Sequence, residues 1–282
     1  MTKKHRMVNS VAAAFACTVA LGIANAQDNG CGSLPGQGAL KSALNTAVAV
    51  EVSGLNNQMW ATIVDRDGIV CAVAYCGTNR GAQWPGSRVI SAQKANTANA
   101  FSLDASSHSG SGSAASGQAN GLALSTANLY SAVQPGGSLF RLQESNPVAT
   151  GVAYSGPSSA YGQFNDPMVG SKIGGINVFG GGLALYAQGH QIVGGVGVSG
   201  DTSCADHNIA WRVRNLLGLD HLGANNTNSN AIAAVGGVSG DATRPDNIVF
   251  DITNGVSAGG FGHPTCLNTN PPANPALPVV QP

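Results

Sequence analysis

The chain has 282 residues, 39 of them glycine, with 9% charged residues and a formal net charge of zero. A length of this order suits one well-buried domain with extensions. So few charges leave no basic face of the kind that holds nucleic acid.

Lys3, Lys4 and Arg6 precede an uncharged stretch from Val8 to Ala24 that closes on Ala24-Asn25-Ala26. This order reads as a secretory signal, residues 1–26, cleaved after Ala26. The run is too short and too alanine-rich for a membrane span, so the expectation is an exported protein, periplasmic or extracellular, with no membrane span after cleavage. Cleavage leaves ten basic against thirteen acidic residues, a charge of about −3, which again speaks against nucleic acid. Cys17 leaves with the signal, and Cys31, Cys71, Cys76, Cys204 and Cys266 remain.

An oxidising destination favours disulfides over thiolate metal ligation. Cys71 and Cys76 stand five apart on one predicted strand and therefore face opposite sides. The candidates are Cys31 and Cys266 stapling the chain's loose ends to Cys76 and Cys204. Cys71, in the apolar run Ile69 to Ala74, is then left as a buried free thiol, with an intermolecular bridge as the alternative.

Leu40, Leu44, Ala47, Val48 and Leu55 recur at helical spacing behind Pro35-Gly36 and predict an amphipathic helix from Gly38 to about Gly54. Trp60 to Val64 and Ile69 to Tyr75 flank Asp65-Arg66-Asp67-Gly68, a strong hairpin signal. Asp65 and Asp67 are accordingly read as turn residues and not as a carboxylate pair. Ser87 is a candidate cap for a helix ending near Phe101, which places Ile90, Lys94, Thr97 and Phe101 on one stripe. Serine, glycine and alanine dominate 102–120, a composition that predicts a mobile loop. A further helix is expected from about Leu122 to Val133, and then irregular chain from Ser138 to Lys172.

Between Gly181 and Trp211 lie two apolar runs, Leu183 to Ala187 and Ile192 to Val198, joined by Gln188-Gly189-His190-Gln191 and followed by an acidic helix start. Both runs are apolar on both faces, as in a covered sheet. Gly194, Gly195 and Gly197 then require something to approach the strand backbone closely, be it a packed helix, a neighbouring subunit or a flat ligand. Beyond Leu219 the chain is Gly/Asn-rich, with a short predicted strand at Ile248 to Ile252 and a disordered proline-rich end from Pro271. Val235 to Asp241 echoes Gly195 to Asp201 as a local similarity, with a β-helix as the remote alternative.

Four segments, WATIVDRDG, SAQKANTANAF, GGINVFGGGLALY and GGVGVSGDTSCADHNIAW, resemble the GlcG/HbpS haem-binding family in order and spacing over roughly Leu40 to Leu217. The resemblance implies an α/β (α+β) fold with a central antiparallel β-sheet covered by helices, built into a homo-oligomer. It divides the chain into a signal (1–26), a GlcG/HbpS-like domain (27–220) and a C-terminal extension (221–282). It also implies haem or a related tetrapyrrole as ligand. On the family's Lys-Ala-x-Thr-Ala pattern Lys94 and Thr97 would contact haem, Thr97 as a weak axial ligand, and Arg88 or Lys94 would pair a propionate. Some members carry a histidine in the first helix; Gly38 to Gly54 has none. Among His108, His190, His207, His221 and His263, His207 is a weak metal candidate because Asp201, Cys204 and Asp206 stand close by in sequence. A helix start, with Asp201 or Ser203 as the cap and Asp206 at the positive helix terminus, explains the acidic residues without metal and is the preferred reading.

The sequence holds no GxSxG, HExxH, Walker loop or GxGxxG in strand-to-helix context, so it names no catalytic residue. The leading expectation is an exported protein that sequesters or presents haem. The alternatives are an accessory enzyme acting on a small oxidised metabolite, and an oligomeric envelope protein without ligand.

Overall fold

The computed structural model describes residues 30–104, 121–223, 235–269 and 277–282. The expected signal and all but the first residues of the 102–120 loop lie outside them. The architecture is mixed α and β, a four-stranded antiparallel sheet covered on both faces.

Helix α1 spans Gln37–Val50 and buries Leu40, Ala43, Leu44 and Ala47, the predicted stripe. It stops short of Gly54 because Glu51 turns to extended backbone and its Oε1 accepts from the Ser53 amide at 3.0 Å. Leu55 is consequently outside the helix and half exposed. Strands β1 (Trp60–Asp65) and β2 (Val70–Tyr75) form the expected hairpin. Asp65 Oδ1 accepts from the amides of Asp67 and Ile69 at 3.0 and 2.9 Å, which is the turn chemistry read from the sequence.

Helix α2 runs over Ser87–Phe101, as expected, but Gly86 occupies the cap position without a side-chain hydrogen bond, so Ser87 is the first helical residue and not the cap. Strands β3 (Leu103–Asp104) and β4 (Gly121–Ala123) follow. The helix expected over 122–133 shrinks to α3 (Leu129–Ala132). Side chains take the backbone groups that a helix would need: Ser102 Oγ donates to Leu124 O, and Asn128 Oδ1 accepts from the Ser125 amide and hydroxyl. A single-turn helix α4 (Thr150–Ala153) interrupts the long irregular stretch.

Strands β5 (Gly182–Ala187) and β6 (Gln191–Ser199) make the second hairpin, turning through Gly189 and His190, both at positive φ. The sheet order is β2-β1-β6-β5. Helix α5 (Ser203–Leu216) leaves β6 directly, and Thr202 caps it by accepting from the Ala205 amide, one residue from the expected caps Asp201 and Ser203.

Alternation along β1 sorts the core into two layers. Ala61 and Ile63 face α1 and α5, while Trp60 and Val64 face α2, where Thr62 Oγ1 also meets Ser91 Oγ at 2.8 Å. The glycines of β6 admit α2: a Cβ on Gly195 would run into the carbonyl oxygen of Ala95, and one on Gly197 into that of Ser91. A packed helix is thus the reason for Gly195 and Gly197, whereas a Cβ on Gly194 would run into Val64 O of β1.

Two disulfides are present, Cys31–Cys71 and Cys204–Cys266, and Cys76 is free and buried. The second joins two of the four expected cysteines; the first is a correction, since it takes Cys71, expected to be the free thiol, and leaves Cys76 free in its place. Cys76 lies one residue past the end of β2, where its amide bonds Met59 O and its sulfur is sunk into the core. Strand alternation therefore does not reach it. Cys71, half-buried on edge strand β2, is the one that Cys31 meets.

The C-terminal region is also more than an appendage. Leu222, Val235, Leu277 and Val280 join the α1/α5 core, and Trp211 Nε1 donates to Pro278 O at 3.0 Å. Strand β7 (Gly236–Gly237) pairs in parallel with β4, and the expected strand at 248–252 is reduced to β8 (Ile252–Thr253) in a two-residue ladder with β9 (Val256–Ser257). The end beyond Pro271 is packed where it is described, at 277–282.

Candidate functional site

Among the buried polar side chains of helix α2 are the three expected ligand contacts, Arg88, Lys94 and Thr97, at intervals of about two turns and one turn. A buried cation must find an anion, and each of the two does. Arg88 forks onto Asp166, donating from Nε at 2.9 Å, and its third arm reaches Ala153 O at 2.8 Å. Its guanidinium lies 3.6 Å from the Tyr161 ring centroid. Asp166 in turn accepts from the amides of Gly162 and Met168. This knot fastens the 150–170 segment over the start of α2.

Lys94 reaches strand β6 and helix α5. Its Nζ donates to Asp206 Oδ2 at 2.6 Å and to Val198 O at 3.1 Å, tying α2 to the first turn of α5. Burial pulls the Lys94 amine below the usual lysine range, with Asp206 pulling back. Burial likewise pushes the Asp206 carboxyl up to about 6, against the stabilising Lys94 charge and the Asp201 amide. Thr97 Oγ1 donates to Gln93 O at 2.7 Å and accepts from the Asn177 amide at 3.0 Å.

Beside the Lys94–Asp206 pair, the start of α5 gathers further groups. Ser203 Oγ lies 2.7 Å from His263 Nε2 and accepts from the Gly180 amide at 2.6 Å. Cys204 bonds Cys266. His207 is fully buried with neither ring nitrogen hydrogen-bonded, and burial lowers its pKa to about 3.

The residues that stand beside the weak metal candidate His207 in sequence have other partners. Asp206 is taken by Lys94, Cys204 by Cys266, and Asp201 accepts from the amides of Leu55 and Asn57 at 2.8 and 2.9 Å. Among the described residues, the two groupings of potential ligand atoms are Cys204-His263-Cys266 and Cys31-Asp65-Cys71. Each is built on a disulfide, and neither includes His207.

Haem needs an axial donor and a partner for its propionates. In this conformation the proposed atoms do not fit that demand: Thr97 Oγ1, Lys94 Nζ and the Arg88 guanidinium are buried and hydrogen-bonded within the chain. The structure brings Lys94 and Thr97 to one stretch of α2 and holds Arg88 apart with Asp166. Sequence reasoning missed the anions Asp166 and Asp206 as partners, although a lysine on an apolar stripe demands one. It also missed the Ser203–His263 contact, which joins residues 60 apart.

The matching family model covers residues 39–214 and is described as haem degrading protein HbpS-like. The chain belongs to the HbpS-like family. No curated protein matches it. Among solved structures it is similar to a PduOC:haem complex, at 20% identity over 64% of this chain and 91% of that one, with a TM-score of 0.40. It is also similar to Klebsiella pneumoniae protein ORFY, a DUF336 protein, at 23% identity over 64% and 88%, TM-score 0.39. A third is HbpS, at 18% identity over 66% and 91%, TM-score 0.35.

Proposed function

We propose that this HbpS-like protein is exported and binds haem or a related tetrapyrrole, sequestering or presenting it as a homo-oligomer. The family match over residues 39–214 carries the reading. Export is supported by the leader-like residues 1–26 and by two disulfides, which persist in oxidising compartments. No helix among the described residues is long and apolar enough to cross a membrane.

Lys94, Thr97 and Arg88 stand in this proposal as haem contacts on one condition: each must exchange a partner inside the chain for the ligand. For Lys94 that means opening a buried ion pair, for Arg88 releasing Asp166, and for Thr97 giving up the Asn177 amide. Bound haem would supply the redox chemistry; the chain's own part is to bind, orient and shield it.

The test is a titration of haem into the oxidised full chain, following the Soret band, with Lys94→Met/Asp206→Leu, which leaves no stranded carboxylate, and Thr97→Val alongside and melting temperatures recorded for all three. Saturable binding at a fixed stoichiometry is expected. Weakening in a variant that melts like the parent places the ligand on α2. A spectrum no different from that of an unrelated protein sinks the haem reading.

A further inference from the structure

The hydrogen-bond directions around His263 are fixed by chemistry. Its Nδ1 lies 2.6 Å from Pro264 O, an atom that only accepts, so Nδ1 carries the proton. Nε2 is then the acceptor, and Ser203 must donate its hydroxyl proton to it across 2.7 Å. The serine oxygen is left with lone pairs, one of which takes the Gly180 N–H at 2.6 Å. Nucleophile, base and an orienting carbonyl thus stand in the relation that defines an activated serine.

The surroundings favour the same assignment. His263 is 4% exposed and lies tilted against the Tyr130 ring with centroids 5.1 Å apart, and burial keeps it below the usual histidine range and hence neutral. Ser203 above it is half-buried and within reach of solvent. The Gly180 amide is held on its target from both sides: Thr126 Oγ1 bonds Phe179 O and accepts from the Gly182 amide at 2.9 Å. A Cβ on Gly180 would run into Ser203 O, so glycine is what lets this amide approach. Phe179, next to Gly180 in the chain, is half exposed.

We infer that Ser203 and His263 form a nucleophile–base site that hydrolyses small uncharged carboxylic esters, with the Gly180 N–H holding the Ser203 oxygen in place for attack. Ser203 Oγ attacks the ester carbonyl carbon as its proton passes to His263 Nε2. The bond from that carbon to the alkoxy oxygen breaks, and His263 returns the proton to the departing alcohol. Water then attacks the acyl-serine, giving a proton to His263; the carboxylic acid leaves and the proton goes back to Ser203 Oγ. Atoms and charge balance with water as the sole co-substrate. The site is independent of any tetrapyrrole.

The competing account is that the Ser203–His263 bond only fastens the C-terminal segment to α5, a task the adjacent Cys204–Cys266 bond already performs. The oxidised full chain is treated with a fluorophosphonate and the adduct is located by mass spectrometry, with p-nitrophenyl acetate hydrolysis followed in parallel. One adduct on Ser203 is expected, abolished in Ser203→Ala and slowed about a hundredfold in His263→Gln, with similar melting temperatures. Should His263→Gln melt early, His263→Ala with added imidazole replaces it, and recovered labelling supports the base. An unlabelled native protein, an adduct that survives Ser203→Ala, or labelling indifferent to His263 overturns the inference.

Discussion

A histidine sealed in a closed core is a pH probe built into the chain. His207 is fully buried, and its pKa falls to about 3 because burial penalises the charged ring. Between about pH 3 and 6.5 the unfolded chain therefore binds a proton that the native state does not, so the contribution of His207 to stability falls as the solution is acidified. Its neighbour Asp206 works in the opposite sense. With a native pKa of about 6 against 3.8, it binds the extra proton in the native state, and its contribution falls as pH rises through that window. The two slopes oppose each other between pH 4 and 6, and removing one exposes the other. Urea unfolding of the parent and of His207→Leu at pH 4, 5 and 6 is expected to show the difference shifting by about 1.4 kcal/mol per pH unit, in favour of the variant toward acid. A difference that does not move with pH would mean that native His207 titrates freely. Nothing in the residues 201–207 announces this: the sequence shows a histidine near acids, and only packing reveals that Lys94, from another helix, has claimed Asp206.

Helix α2 rests directly on strand backbone, and that closeness sets what both can tolerate. At Gly197 an added methyl would meet Ser91 O and stand 2.6 Å from the Ala95 nitrogen, with helix backbone on the far side and nowhere to yield. Gly197→Ala is expected to cost about 1–3 kcal/mol as overpacking, whereas Gly38→Ala, exposed in α1 with nothing within 4 Å, should gain up to about 1 kcal/mol. Equal effects at the two positions in denaturant melts would remove the close contact from the account. The Lys94–Asp206 tie between α2 and α5 gives a second reading of the same layer. Lys94→Met strands a buried carboxylate and should cost about 3–5 kcal/mol, and adding Asp206→Leu should restore most of it. If the double variant is as unstable as the single one, the ion pair is not what holds the helix ends together. At this scale the sequence was informative where period and turn chemistry agree, as in both hairpins and α2. It misled over 122–133, where apolar spacing suggested a helix but Ser102, Ser125 and Asn128 bond the backbone in its place.

The whole molecule closes around its own C-terminal segment. Composition points to a loose Gly/Asn/Pro extension, since Leu222, Val235, Ile248, Leu277 and Val280 are too scattered to show any period. In the fold they enter the core, Asp246 meets Arg214 in a fully buried bidentate pair at 2.6 and 2.9 Å, and Cys266 locks onto α5. The Cys204–Cys266 bond closes 62 residues of chain, and on loop entropy a bridge of that span restricts the unfolded state by about 4 kcal/mol. Replacing both cysteines by alanine should therefore lower unfolding free energy by about 2–4 kcal/mol while leaving the native contacts of Arg214 in place. Trp211 offers a local reading of the same closure, because its indole N–H bonds Pro278 O and the ring is fully buried. Deleting 277–282 is expected to shift tryptophan emission to longer wavelength under native conditions, whereas the cysteine replacement should leave it where it is. An unshifted spectrum after the deletion would show that the terminal segment does not cover Trp211 in solution, and that the core ends with α5.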